Sequence, residues 1–386
     1  MTIFEQSRQT RRLVLAEPLP LESGEVLPEV VIAYRTWGQL SGRGDNAVIV
    51  CHALTGSADA DRWWQPLFGR DRSLDPDRDF IVCSNVLGGC YGSTGPITPA
   101  PDGKPWGARF PRITVRDQVR AQIALATALG IRRIRFVIGG SLGGLQALEW
   151  ALLDPERVEA VVSIAASGRH SAWCVAWSEA QRLALAADAK FRAGDYPLTD
   201  PPVAGLAAAR AVAMLTYRTP SSLEQRFGRA AGKEIFGRRA QAPDDFAISG
   251  WLHHQGASLV QRFDANSYRL LLDAMDTHDL ARNRGAYEHV LRQVRQRVLI
   301  GSITSDALYV AADQRSLHLL LPNSDLLRIE SEHGHDGFLI DAADFEPALR
   351  RFVRSLPSGG QQEIPAKARE ATYGQIAAAT NLRYSW

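Results

Sequence analysis

The sequence predicts an α/β fold: a mostly parallel central sheet flanked by helices, with an inserted helical lid. Three observations carry this. Short β-branched runs bounded by turn residues alternate with a helical repeat in the first half of the chain. Strand-like runs return near the end, and between the two lies a long stretch without strand character.

In chain order, the first strands are predicted at 48–51 and 80–83. A helix follows over 115–129, where Val119, Ile123, Ala126 and Leu129 recur near helical spacing. Strands at 134–138 and 158–164 enclose a second helix over 145–152, the alternation expected of parallel strands joined by crossovers. From 168 to 297 the chain turns Ala-, Arg- and Leu-rich, as in 179–192 and 206–215, and reads as the helical lid. Strands at 298–301 and 326–329 resume the core, which therefore comprises 1–167 and 298–386. The polar, small-residue segment 359–386 reads as a peripheral helix and tail.

Composition excludes several classes. Of 386 residues, 45% are hydrophobic and 22% charged, enough apolar surface for a globular core and too little charge for a disordered chain. Lys and Arg number 44 against 42 Asp and Glu, so a net charge of +2 provides no global field toward nucleic acid or an anionic membrane. No apolar run approaches the roughly 18 residues of a membrane span. The first residues lack a basic region followed by an apolar stretch, and a cytoplasmic location is the expectation. The four cysteines, Cys51, Cys83, Cys90 and Cys174, are far apart without a Cys-x-x-Cys pair, so buried thiols are expected rather than a zinc ribbon or disulfide framework.

The chemistry centres on Gly139-Gly140-Ser141-Leu142-Gly143, which follows an apolar strand and precedes a helix. A strand, sharp turn and helix are what a nucleophile elbow requires. The serine sits at a strained turn with Oγ exposed, and flanking glycines remove the Cβ clashes. The helix that starts there turns its positive end toward a developing oxyanion. Such a serine needs a base, and in this fold the acid and His follow it in that order. Asp306, just beyond the strand 298–301, suits the acid, and His335 in the glycine-flanked loop 332–339 suits the base, with His333 as rival. The His-x-His pair has no third and fourth metal ligand at convincing spacing, so no metal is expected. Backbone N–H groups of Leu54, in the loop after the first predicted strand, and of Leu142 are candidate oxyanion donors. His52 in the same loop reads as a prop that hydrogen-bonds the turn.

Taken together, Tyr34-Arg35-Thr36-Trp37-Gly38, His52-Ala53-Leu54-Thr55-Gly56, residues 85–96, residues 139–146 and Gly334-His335-Asp336 resemble the homoserine O-acetyltransferase family of the α/β-hydrolase fold. The resemblance implies Ser141 as nucleophile, His335 rather than His333 as base, and Asp306 as its orienting acid. It further implies Arg210 on the substrate carboxylate, Tyr217 lining the same pocket and Asp336 meeting the substrate ammonium. Homoserine and acyl-CoA, most directly acetyl-CoA as co-substrate, would be the substrates, with no permanently bound cofactor, a two-step transfer through an acyl-serine, and a place in methionine biosynthesis. The family implies a homodimer, with the lid helices available as its interface. Two departures are visible: Leu142 and Leu145 replace the family's methionines at the elbow, and Ala307-Leu308-Tyr309-Val310 replaces the usual Trp-Leu-Phe-Pro after the acid. The residues accommodate acetyl or succinyl donors and homoserine or serine acceptors alike. With water as acceptor, the same triad makes an ester or thioester hydrolase.

Overall fold

The computed structural model describes residue 4, residues 6–232, the backbone of 234–235 and 238–239, and residues 246–356. The segment 359–386, expected to be a peripheral helix and tail, lies outside the described residues.

Eight strands form one sheet: β1 (Arg11–Val14), β2 (Val31–Trp37), β3 (Ala47–Cys51), β4 (Phe80–Ser84), β5 (Ile134–Gly140), β6 (Ala160–Ile164), β7 (Arg297–Ile303) and β8 (Ser324–Ile329). Their spatial order is β1-β2-β4-β3-β5-β6-β7-β8. From β4 to β8 every pairing is parallel, whereas β1 on β2 and β2 on β4 are antiparallel. The central strands β3, β5 and β6 are buried along their whole length, which is why they read as unbroken apolar runs rather than alternating ones.

Helices cover both faces of the sheet. On one side α1 (Val115–Ala128) and α2 (Leu142–Leu153) pack into a core with Ile49, Val137, Trp150 and Val161. Thr114 caps α1 by accepting from Asp117 N–H, and the Asp117 carboxylate accepts from Thr114 N–H in return. The opposite face buries Val50, Phe136, Ile138 and Val162 against Trp64 and the C-terminal helix.

Between β6 and β7 the described residues form the helices α3 (Ala172–Ala186), α4 (Val203–Tyr217), α5 (Pro220–Phe227), α6 (Ala247–Val260), α7 (Ala265–Asp276) and α8 (Tyr287–Arg292). After β7, α9 (Ala311–Leu320) and α10 (Ala342–Arg354) complete the core. Leu145, Leu206, Tyr268, Leu271 and Tyr309 share a third apolar cluster, so these helices are packed onto the sheet and its helices through buried side chains. No helix among the described residues is long and apolar enough to cross a membrane.

The structure departs from the sequence expectations at several points. Strands β1 and β2 precede the first one predicted. In β2 the interior Arg35 interrupts the apolar pattern, and Asp61 neutralises it through Nη2···Oδ2 at 2.9 Å. The Ala-, Arg- and Leu-rich run 179–192 is helical as far as Ala186; beyond it Arg192 and Ala193 adopt positive φ of 47° and 55°, which ends any helix. A two-residue ribbon, Glu234–Ile235 with Arg238–Arg239, lies inside the otherwise helical lid, and Arg297, assigned to the lid, opens β7.

Buried charge locks the sheet from within. Asp79, fully buried, bonds Arg135 of β5 through one carboxylate oxygen and Arg78 through the other, the latter at 2.8 Å. Removing the acid strands the Arg135 guanidinium, itself 3% exposed. Asp79→Ala is expected to lose about 3–5 kcal/mol of stability, read as a fall in the guanidinium-chloride midpoint followed by circular dichroism.

Candidate active site

Ser141 stands between β5 and α2 with φ 57° and ψ −127°, a conformation most L-residues avoid and one that costs on the order of 1–3 kcal/mol. Two glycines make the turn possible. A Cβ at Gly139 would lie 2.2 Å from the carbonyl carbon and oxygen of Gly143, and a Cβ at Gly143 would lie 2.0 Å from the Cys51 carbonyl oxygen. The chain therefore doubles back against itself and against the end of β3, and Ser141 N–H donates to Ile164 O at 2.9 Å to hold the corner.

That approach sets the loop after β3 beside the start of α2. Leu54 and Leu142 are both buried, and among the described residues neither N–H donates to another protein acceptor. His52 supports the loop from below: Nε2 accepts from Val86 N–H at 3.1 Å, so Nδ1 carries the proton and donates to Ala53 O at 2.8 Å. Burial pushes the His52 imidazolium down to about 4, against the opposing Ala53 contact, so the ring stays neutral and serves as a strut. Asn85 adds a second strut, with Oδ1 accepting from Ala58 N–H at 2.6 Å and Nδ2 donating to Tyr91 O at 2.8 Å. The 85–96 motif thus scaffolds the loop that carries Leu54.

His335 arrives from the turn after β8. Its Nδ1 lies 2.8 Å from Asp306 Oδ2, while Asp306 Oδ1 accepts from the N–H groups of Leu308 at 2.8 Å and Tyr309 at 3.0 Å. Every lone-pair direction needed to aim the carboxylate is therefore used. Three aromatic rings, Tyr217, Tyr309 and Phe338, surround the imidazole with centroids 5.5, 5.6 and 5.6 Å away. His335 is 2% exposed, and among the described residues its Nε2 has no partner. Burial disfavours the imidazolium, but the Asp306 carboxylate outweighs it by charge and hydrogen bond, leaving the group above its ordinary value of 6.5. His333 is offset from this geometry: its nearest acid is Asp341, 3.9 Å away, and more than a third of its side chain is exposed.

Ser141 and His335 open into one cavity of about 850 Å³, also lined by Leu54, Arg210, Tyr217 and Asp336. The Arg210 guanidinium carbon lies 5.4 Å from the Tyr217 ring centroid, and the arginine has no carboxylate partner among the described residues. Asp336, by contrast, is already paired, with Oδ2 3.1 Å from Arg218 Nε. Burial holds its carboxyl above the usual carboxylate range, against the opposing pull of Arg218 and Arg210. Sequence reasoning missed Arg218, because only the docking of α4 beside the turn at Gly334–Asp336 brings two residues 118 positions apart together. It also missed the N-terminal residues Gln6–Gln9, which line the cavity mouth.

The sheet order, the serine at a strand-to-helix corner and the acid-oriented imidazole define an enzyme of the α/β-hydrolase fold. A family model described as alpha/beta hydrolase fold matches residues 46–342. A homoserine O-acetyltransferase of Nostoc punctiforme is 53% identical over 351 residues, covering 89% of this chain and 96% of that protein. Another, from Chloroherpeton thalassium, is 49% identical over 92% of each chain. The crystal structure of homoserine O-acetyltransferase from Bacillus anthracis superposes with a TM-score of 0.83 over 91% of this chain and 99% of that one, at 22% identity, and supports the fold. This chain belongs to the homoserine O-acetyltransferase family, and it is an acyltransferase.

The elbow tolerates no side chain at its glycines. Gly139→Ala is expected to cost about 3 kcal/mol or more, since the added methyl meets backbone that cannot move aside. Thermal unfolding would show the loss, accompanied by a fall in acyl transfer.

Proposed function

We propose that this enzyme is a homoserine O-acetyltransferase working through an acetyl-Ser141 intermediate. The observation that carries this reading is the buried, unpartnered Nε2 of His335, opening with Ser141 into a cavity that also presents the unpaired Arg210.

His335 Nε2 takes the proton of Ser141 Oγ as the oxygen attacks the thioester carbonyl of acetyl-CoA. The backbone N–H groups of Leu54 and Leu142 hold the oxyanion, and coenzyme A leaves with the proton returned by His335. Asp306 fixes the imidazole tautomer with Nε2 toward the serine. In the second half, Arg210 holds the carboxylate of homoserine, Tyr217 bounds its side chain, and Asp336 receives its ammonium group. Arg218 keeps Asp336 oriented while leaving its second oxygen for the amine. His335 then deprotonates the homoserine hydroxyl, which takes the acetyl group. The aromatic cage and the lid exclude water from the intermediate, which favours transfer over hydrolysis. The product is the activated homoserine that methionine biosynthesis requires. Trp173, Leu183, Val203 and Leu215, exposed on α3 and α4, support the reading of a lid-mediated homodimer.

Mass spectrometry of the intact protein after incubation with acetyl-CoA or succinyl-CoA tests the donor directly. Acetyl addition at Ser141, absent in Ser141→Ala, is expected, together with a loss of transfer of about 10⁴-fold or more in that variant. Thiol release that runs equally fast without homoserine would instead establish a hydrolase.

The pH dependence follows from His335. As a base the ring must be neutral, and its raised pKa places the rising limb of acyl-enzyme formation above 6.5. Asp306→Asn removes the charge responsible, so the limb should move to lower pH while the rate falls by about 10⁴-fold. A stopped-flow pH profile of thiol release would read both effects.

A further inference from the structure

The cavity holds more positive charge than one amino-acid carboxylate can use. Six arginines line it against three carboxylates. Two of the acids, Asp59 and Asp61, are bound by Arg35, and the third, Asp336, by Arg218. Arg210 lies at the inner end, beside Tyr217 and His335. Arg62 and Arg262 line the same cavity, and among the described residues neither has a carboxylate partner.

One of them is held by the segment 55–63 and the other belongs to it. Arg262 Nη1 donates to Thr55 O at 2.7 Å and to Tyr91 Oη at 3.0 Å, and among the described residues Nε and Nη2 donate to no other protein acceptor. Arg62 belongs to the one-turn helix Ala60–Trp63, whose Trp63 Nε1 donates to Ser57 O at 2.9 Å. Thr55 directly follows Leu54. The Arg262 guanidinium is thus tied to the loop that carries the candidate oxyanion donor, the backbone of the turn bearing Arg62 is anchored close by, and both arginines line the cavity into which Ser141 opens.

We propose that Arg62 and Arg262 bind the phosphate groups of the acyl donor, and so select a nucleotide-bearing thioester over a short one. The inference rests on the reading of the donor as acetyl-CoA. Coenzyme A carries a pyrophosphate and a ribose phosphate at the end remote from its thioester, and guanidinium forks match phosphate geometry. Arg262, pinned through Nη1, presents its remaining donors with little ordering cost. Trp63 lines the same cavity, an aromatic residue of the kind on which an adenine stacks.

The test compares acetyl-CoA with acetyl-pantetheine, which carries the same thioester without phosphates, as donors for the wild type, Arg62→Gln, Arg62→Lys and Arg262→Gln. Loss of one charge-assisted contact should lower the ratio of kcat/KM for acetyl-CoA to that for acetyl-pantetheine by about 10-fold in each Gln variant. The change should lie in KM for acetyl-CoA, and Arg62→Lys should retain most of the preference. Equal losses with both donors would show that the arginines only shape the loop, and no change would show that they are solvated; either result overturns the inference. A wild type whose Ser141 takes no acetyl group from acetyl-CoA would overturn the reading of the donor as well.

Discussion

The site depends on one close backbone contact, that of Gly143 against the carbonyl of Cys51. No other residue type fits, since any Cβ there would lie 2.0 Å from the oxygen. This contact sets the last residue of β3 against the first turn of α2, and so brings the loop of Leu54 to the N–H of Leu142. A buried amide chain reinforces it: Trp150 Nε1 donates to Gln122 Oε1 at 2.8 Å, Gln122 Nε2 to Gln146 Oε1 at 2.6 Å, and Gln146 Nε2 to Leu142 O at 3.2 Å. The strain at Ser141 is thereby borne by packed neighbours rather than relaxed.

Around that corner aromatic rings crowd the imidazole while arginines line the rest of the cavity. Three rings and the base of the lid surround His335, and in such a low-dielectric setting the Asp306 carboxylate acts on the imidazole with little screening. Further out, the cavity wall carries arginines in excess of acids. A wall with more arginines than acids suits anionic ligands. The helical segment between β6 and β7 contributes to both, with Tyr217 beside the imidazole ring and Arg210 in the cavity wall.

Much of this was legible because it is local. The elbow shows itself in six consecutive residues, since its strand, glycines and helix are neighbours in the chain. The departure after Asp306 proved harmless to its geometry: Leu308 and Tyr309 supply backbone N–H groups, which do not depend on side-chain identity. Tyr309 still places a ring against His335, as an aromatic residue there would be expected to do. What escaped notice was non-local. Strand β2 hides because its Arg35 is neutralised by acids 24 and 26 residues away.

Sequence alone determined the class of fold, the nucleophile candidate and the order of its partners, because strand period, turn chemistry and the glycine requirement are written in adjacent residues. Tertiary structure decided which histidine faces Asp306, that Asp336 is shared with Arg218 while Arg210 is left unpaired, and that His52 is a neutral strut. Each of those outcomes depends on distances between segments far apart in the chain, and on the burial that sets charge and tautomer once they meet.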